Sequence, residues 1–163
     1  MKAKRLLSVK LCLLCLVLLQ GFTSCTDEAL LDRNEAIRDN LWTATQQPEF
    51  EVEIEDSAAA YDVYLNLRNS SQFPFSKVYV LVHLEKEGQP GTSYRVGVKL
   101  ADRDGLWTGK SAGNLYAHQA LFLRNYQFPD TGQYRFILES NMRLSPLPGI
   151  SDVGVRISPS RPR

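Results

Sequence analysis

From residue 50 onward, apolar and polar positions alternate with a period of two. Phe50, Val52 and Ile54 alternate with Glu51, Glu53 and Glu55. That pattern predicts a half-buried strand whose acidic row faces solvent, since successive strand side chains point to opposite faces. Residues 61–68 repeat it, with Tyr61, Val63, Leu65 and Leu67 inward and Asp62, Tyr64, Asn66 and Arg68 outward. Residues 77–85 (KVYVLVHLE) are apolar on both faces and predict a central strand. Residues 93–100 alternate again through Tyr94, Val96, Val98 and Leu100, and Gly97 among them implies a bulge or a close backbone approach. Further strands are expected over residues 116–128, over 133–140 through Tyr134, Phe136 and Leu138, and through Val153, Val155 and Ile157.

Turn chemistry separates these segments. Asn69 to Gln72 with the Phe73-Pro74-Phe75 corner, the Gly88–Gly91 hairpin with Pro90, residues 101–113, Pro129 to Gly132, and the loop holding Pro146, Pro148 and Gly149 all read as turns. Seven or eight short strands with no helical period predict an all-β fold, an antiparallel β-sandwich of Greek-key or jelly-roll kind.

The N-terminal third follows another logic. Lys2, Lys4, Arg5 and Lys10 precede an apolar run over residues 11–19, the layout of a secretory signal. The run is too short for a bilayer span, which needs about 20 apolar residues. It leads to Phe22-Thr23-Ser24-Cys25, which resembles a bacterial lipobox, so Cys25 is the expected lipidation site and membrane anchor. Two or more acyl chains at about 0.8 kcal/mol per buried CH₂ hold a protein stably on a membrane. The expected organisation is a signal peptide over 1–24, a lipidated cysteine and polar tether over 25–47, a sandwich over 48–158 and a flexible tail over 159–163. Leu30, Leu31, Ile37 and Leu41 in the tether allow a short helix, which is marginal in water when unpacked. Trp42 is expected to pack on the sandwich edge. The acidic pair Asp27-Glu28 resembles a surface-export signal or serves as a solvated start to the tether.

Processing also changes the charge. Loss of residues 1–24 removes four basic residues and no acidic one. The 19 basic and 18 acidic residues become 15 and 18, about −3 for the mature chain. This argues against non-specific nucleic-acid binding, which needs a basic face. Cys12 and Cys15 leave with the signal, so no disulfide is available and packing alone must hold the core.

Catalytic and metal motifs are sparse. His83 and His118 are isolated in sequence, which gives no support for zinc, and His83 reads as a hydrogen-bonded structural residue. Asp102 and Asp104 open like a calcium loop, but Gly113 falls where a bidentate Glu is required, so a tight turn explains them. No nucleophile elbow or P-loop is present, and no acid pair is singled out. No catalytic residue, cofactor or metal is therefore expected. Trp107, flanked by turn residues, is expected to plug one end of the sandwich. Arg143 is expected to meet a carboxylate, Asp152 or Asp104, tying loops together or serving partner recognition.

Several stretches together resemble the GldH family of gliding-motility lipoproteins from Bacteroidetes. They are YDVYLNLRN (61–69), FPFSKVYV (73–80), LADRDGLWTG (100–109), FPDTGQY (128–134) and NMRLSPLPGISDVGV (141–155). The resemblance covers nearly the whole mature domain. It implies a non-enzymatic accessory lipoprotein of the cell envelope, at the outer membrane, with envelope proteins as partners and no catalytic residue to carry over. The competing expectation is a surface carbohydrate-binding module, with Trp42, Trp107, Tyr64 and Tyr116 as a stacking platform.

Overall fold

A computed structural model describes residues 29–160. The signal peptide and Cys25 lie outside the described residues. Eleven strands appear among them: β1 (Leu31–Ala36), β2 (Leu41–Trp42), β3 (Glu49–Ile54), β4 (Tyr61–Ser70), β5 (Lys77–Lys86), β6 (Thr92–Lys99), β7 (Lys110–Ala112), β8 (Leu115–Tyr126), β9 (Gly132–Ser140), β10 (Leu147–Pro148) and β11 (Ile150–Pro159). They pair antiparallel throughout, in a five-stranded sheet β1-β11-β4-β8-β7, a four-stranded sheet β3-β9-β5-β6 and a short β10-β2 ribbon. The neighbours β1-β11-β4 and β3-β9-β5 are distant in sequence, so the connections cross as in Greek-key folds. The all-β antiparallel expectation holds, with more strands than the expected seven or eight.

Alternation places the core between the sheets. Val63, Leu65 and Leu67 of β4 and Val153, Val155 and Ile157 of β11 face Val78, Val80 and Val82 of β5 and Phe136 and Leu138 of β9, all at 1% exposure or less. The segment read as central, β5, lies between β9 and β6. The glutamates of β3 sit exposed on an edge strand, where charge opposes edge-to-edge aggregation.

Two expectations about the ends are corrected. The 25–47 tether does not extend through 47, because residues 31–42 belong to the sandwich. Leu31–Ala36 forms edge strand β1 along β11, with Leu31 opposite Ile157 and Ala36 opposite Asp152. Leu31 and Ile37 are buried, and in place of the suggested short helix the segment forms this strand and a single 3-10 turn at Arg38–Asn40. Trp42 is fully buried, and its indole N–H donates to the Gln46 carbonyl at 2.8 Å. At the other end, β11 runs through Pro159, and Ser160 bonds both the Ala60 carbonyl and Asp62. Residues 159 and 160 are therefore part of the fold, Pro159 opposite Tyr61 and Ser160 held by the Ala60 carbonyl and Asp62.

Candidate functional site

Polar or exposed side chains gather in several places among the described residues, and three of them bear on function. The first is the outer face of the five-stranded sheet. Register aligns Asn34, Gly154, Asn66 and Gln119 in one row across β1, β11, β4 and β8. Gly154 has no side chain, so amides from both flanking strands meet above it. Gln119 donates to Asn66 at 3.0 Å, and Asn66 donates to Asn34 at 3.1 Å and to Asp32 at 2.9 Å. Asn34 donates in turn to Asp152 at 2.8 Å. Asp152 also receives Arg68 Nε at 2.6 Å, and Arg156 closes on Asp32 at 2.5 Å. An open groove of about 860 Å³ runs from this row toward Lys99, Lys110 and His118. Asp32 and Asp152 are each paired with an arginine, and the amides bond one another and those carboxylates, so the row clasps edge strand β1 to the sheet.

Asp152 thus has a partner, but not the expected one. It is 3% exposed and binds Arg68, which lies directly opposite on β4. Arg143 is exposed on the 141–149 loop and does not meet Asp152, because the β11 register turns that carboxylate toward β4. Asp104 lies exposed in a turn where Asp102 accepts the Asp104 and Leu106 amides, at 3.0 and 2.9 Å. Among the described residues, no three of His, Asp and Glu converge as a metal site requires.

The second place is the open side of the sandwich between β6 and β8. Trp107 is half-buried against the core, forms a bridge with Ala101, and lies 5.5 Å from Tyr116 at 30° between ring planes. His118 beside it is half-buried. Its Nε2 is sealed from water with no partner, over a Gly109 that has no room for a Cβ. Burial pushes the His118 imidazole below its ordinary pKa. His83 is hydrogen-bonded, Nδ1 to Ser93 at 2.7 Å and Nε2 to Glu139 at 3.3 Å. Of the four aromatics weighed as a sugar platform, only Trp107 and Tyr116 come together. Trp42 is internal, and Tyr64 sits in an outer row of β4 opposite Arg156 and Leu121.

The third place was missed as a site, although Gly97 had signalled a close approach. The Tyr79 ring lies flat over Gly97 on the facing strand, where a Cβ would stand 2.9 Å from the ring edge. The Arg95 guanidinium stacks 3.7 Å from the ring centre, and its Nε donates to Asn141 at 2.8 Å. Lys77 approaches the same ring at 5.4 Å. The 141–149 loop leaves β9 here, with Asn141 N–H on the Tyr79 carbonyl at 2.9 Å and Met142 Sδ accepting the Tyr79 N–H at 3.4 Å. Phe75, Met142 and Leu144 wall a cleft of about 500 Å³ rimmed by Arg95 and Arg143. Phe75 and Leu144 are 38% and 44% exposed, among the few large apolar side chains left in water. The surface is apolar with a cationic rim.

Comparison with known proteins decides the lineage. Residues 29–157, the sandwich with all eleven strands in whole or in part, match the family described as GldH lipoprotein. The chain belongs to the GldH lipoprotein family. It is 25% identical over 146 residues to a protein of Christiangramia forsetii named gliding motility lipoprotein GldH homolog, covering 85% of this chain and 89% of that relative. It is 23% identical over 141 residues to the gliding motility lipoprotein GldH of Flavobacterium johnsoniae, covering 82% and 87%. No solved structure matches. The GldH match spans both the clasp and the Tyr79 cleft.

Proposed function

We propose that this GldH-family protein is a non-enzymatic accessory lipoprotein of the cell envelope. Lipid on Cys25 holds it at the outer membrane, and it serves gliding-motility or related envelope machinery through protein–protein contacts. Membership in a lipoprotein family supports the anchor, and the names of two relatives support the link to gliding. The observation that carries the contact reading is the exposed apolar cleft at Tyr79, Met142 and Leu144, because apolar side chains left together in water mark interaction sites.

The early start of β1 supports a short leash between Cys25 and the domain. The five residues from Cys25 to Leu30 reach at most about 18 Å, whereas a tether to residue 47 would reach about 80 Å. A lipid on Cys25 would therefore hold the domain close to the bilayer by the end of the sandwich where β1 begins. That end carries Leu31, Ile157 and Val63, in register.

Two measurements test the reading. Globomycin, which blocks lipoprotein signal cleavage, should make the precursor accumulate and abolish palmitate labelling of the mature protein. Unchanged processing defeats the anchor. Affinity purification of the tagged protein from detergent-solubilised membranes should enrich envelope proteins, and none above background counts against the contact role.

A further inference from the structure

We infer that the Tyr79 cleft is the docking site for a partner protein segment that presents an apolar side chain beside one or more carboxylates. This inference rests on the contact reading above and names the partner's chemistry.

The cleft has an apolar floor, Phe75, Tyr79, Met142 and Leu144, and no acidic residue among those lining it. Its polar rim is cationic. Arg95 is fixed by its stack on Tyr79 and by Nε on Asn141, which leaves the terminal guanidinium nitrogens to face a ligand. Arg143 is exposed, and Lys77, outside the lining, approaches the Tyr79 ring at 5.4 Å. A guanidinium held flat on an aromatic is already desolvated on one face and positioned. A carboxylate arriving there forms a charge-assisted pair without first ordering the arginine. The floor accepts an apolar side chain and the rim accepts its acidic neighbour, a charge pattern that also steers encounter.

Position favours a protein over a lipid. The anchored end carries residues 31, 63 and 157, whereas Ala36, Asp152, Arg68 and the start of β5 lie at the opposite end. From Val63 to Arg68 the strand advances five residues, about 17 Å. The cleft therefore faces away from the bilayer that holds Cys25.

The test uses the folded, lipid-free domain and three fluorescein-labelled peptides. One alternates Leu and Phe with Asp and Glu, one replaces the acids by Lys, and one replaces the apolar residues by Ser. Fluorescence anisotropy should show the acidic apolar peptide binding at least about tenfold more tightly than either other peptide. Arg143→Gln and Leu144→Ser lie on an exposed loop and should each weaken binding several-fold with unchanged melting temperature. Leu106→Ser, on a different exposed loop, should leave binding unchanged. Equal binding of all three peptides, or insensitivity to both cleft variants, overturns the inference. So does binding to anionic phosphatidylglycerol vesicles, or a concentration-dependent dimer, that the same cleft variants abolish.

Photo-crosslinkers at positions 144, 106 and 30 in cells separate this inference from the reading beneath it. Adducts at 144 that Arg95→Glu abolishes support the cleft, provided the crosslinked segment maps to an acidic apolar sequence. Adducts at 106 or 30 but none at 144 leave the contact role standing and remove the cleft. Adducts at no position remove both.

Discussion

Gly154→Ala gives a prediction whose sign depends on the structure. Within a strand, glycine is a weak choice, and replacing it by alanine at a permissive position stabilises by about 0.4–1 kcal/mol through the unfolded chain. Gly154 has no positive φ, so backbone conformation does not forbid alanine. Space does. A Cβ there would overlap the Arg33 carbonyl oxygen and Asn34 Oδ1 and stand 2.8 Å from Asn34 Cα, and two of these three atoms are backbone of β1. Strand β1 must move off β11. It is held by six residue pairs and buries little beyond Leu31, so it has small reserves. Overpacking costs about 1–3 kcal/mol. Losing the Asn66–Asn34 bond adds about 0.5–1.5 kcal/mol, which roughly cancels the gain expected from the unfolded chain. The net is a destabilisation of about 1–3 kcal/mol. For a domain of this size that lowers the melting temperature by roughly 3–15 °C. Differential scanning calorimetry reads the shift, and hydrogen exchange locates it. Amides of residues 31–36 should lose protection first, while those of β4 and β5 keep theirs. Asn34→Ala in the same background should recover only part of the loss, because the Arg33 carbonyl remains. A Gly154→Ala variant as stable as the wild type or more so would refute the close packing of β1 on β11.

Other outcomes follow from the same geometry. Trp42→Ala should cost about 3–5 kcal/mol in urea unfolding, since it empties a fully buried indole site and strands the Gln46 carbonyl. Asp152→Ala should cost about 1–3 kcal/mol, and a double-mutant cycle with Arg68→Met should show coupling, whereas a cycle with Arg143 should show none. Arg143→Ala should change stability by less than about 0.5 kcal/mol, because the side chain is exposed. Burial lowers the His118 pKa, so below the ordinary value of 6.5 the unfolded chain takes up a proton that the folded chain refuses. Stability should then fall as pH drops from 6.5 toward the lowered folded value and level off beneath it, and His118→Gln should flatten that part of the melting-temperature profile.

The period-two pattern was legible wherever one strand face is buried and the other wet, as in β3, β4, β6 and β9. It was silent where burial is slight. Strand β1 reads LDRNEA and buries only Leu31, so backbone pairing to β11 and side-chain amides hold it, and hydropathy cannot report either. The same holds for β7, three exposed residues, and for the two-residue strands β2 and β10. Asp152 was expected to meet Arg143, and it meets Arg68 instead. Its partner lies 84 residues away, fixed by the register of β11 on β4, which no local pattern encodes. Gly97 announced a close approach, but only the fold shows that Tyr79 makes it. The cleft draws on residues 75–79, Arg95 and the 141–144 loop, three separate segments that only strand pairing brings together.

The clasp over Gly154 and the place of β1 make joint sense for a domain held at one end and gripped at the other. A lipid on Cys25 would pull on the Leu31 end of β1, while a partner in the Tyr79 cleft would pull at the opposite end of the sandwich. Load between these points would run along the strands, so β1 and β11 would be sheared rather than unzipped. Sheared antiparallel strands must break their ladder bonds together, whereas unzipped strands break them one at a time. An edge strand with a single buried apolar residue would otherwise be the weakest link in that path. Asp32 on Arg156 and Asn66, with Asn34 on Asp152 and Asn66, adds lateral bonds that reach past β11 to β4. Those bonds can form across β11 only because Gly154 leaves the gap. The residue that weakens a strand by propensity thus fastens β1, and the described residues, which hold no cysteine, have only such packing and polar contacts to resist being pulled apart.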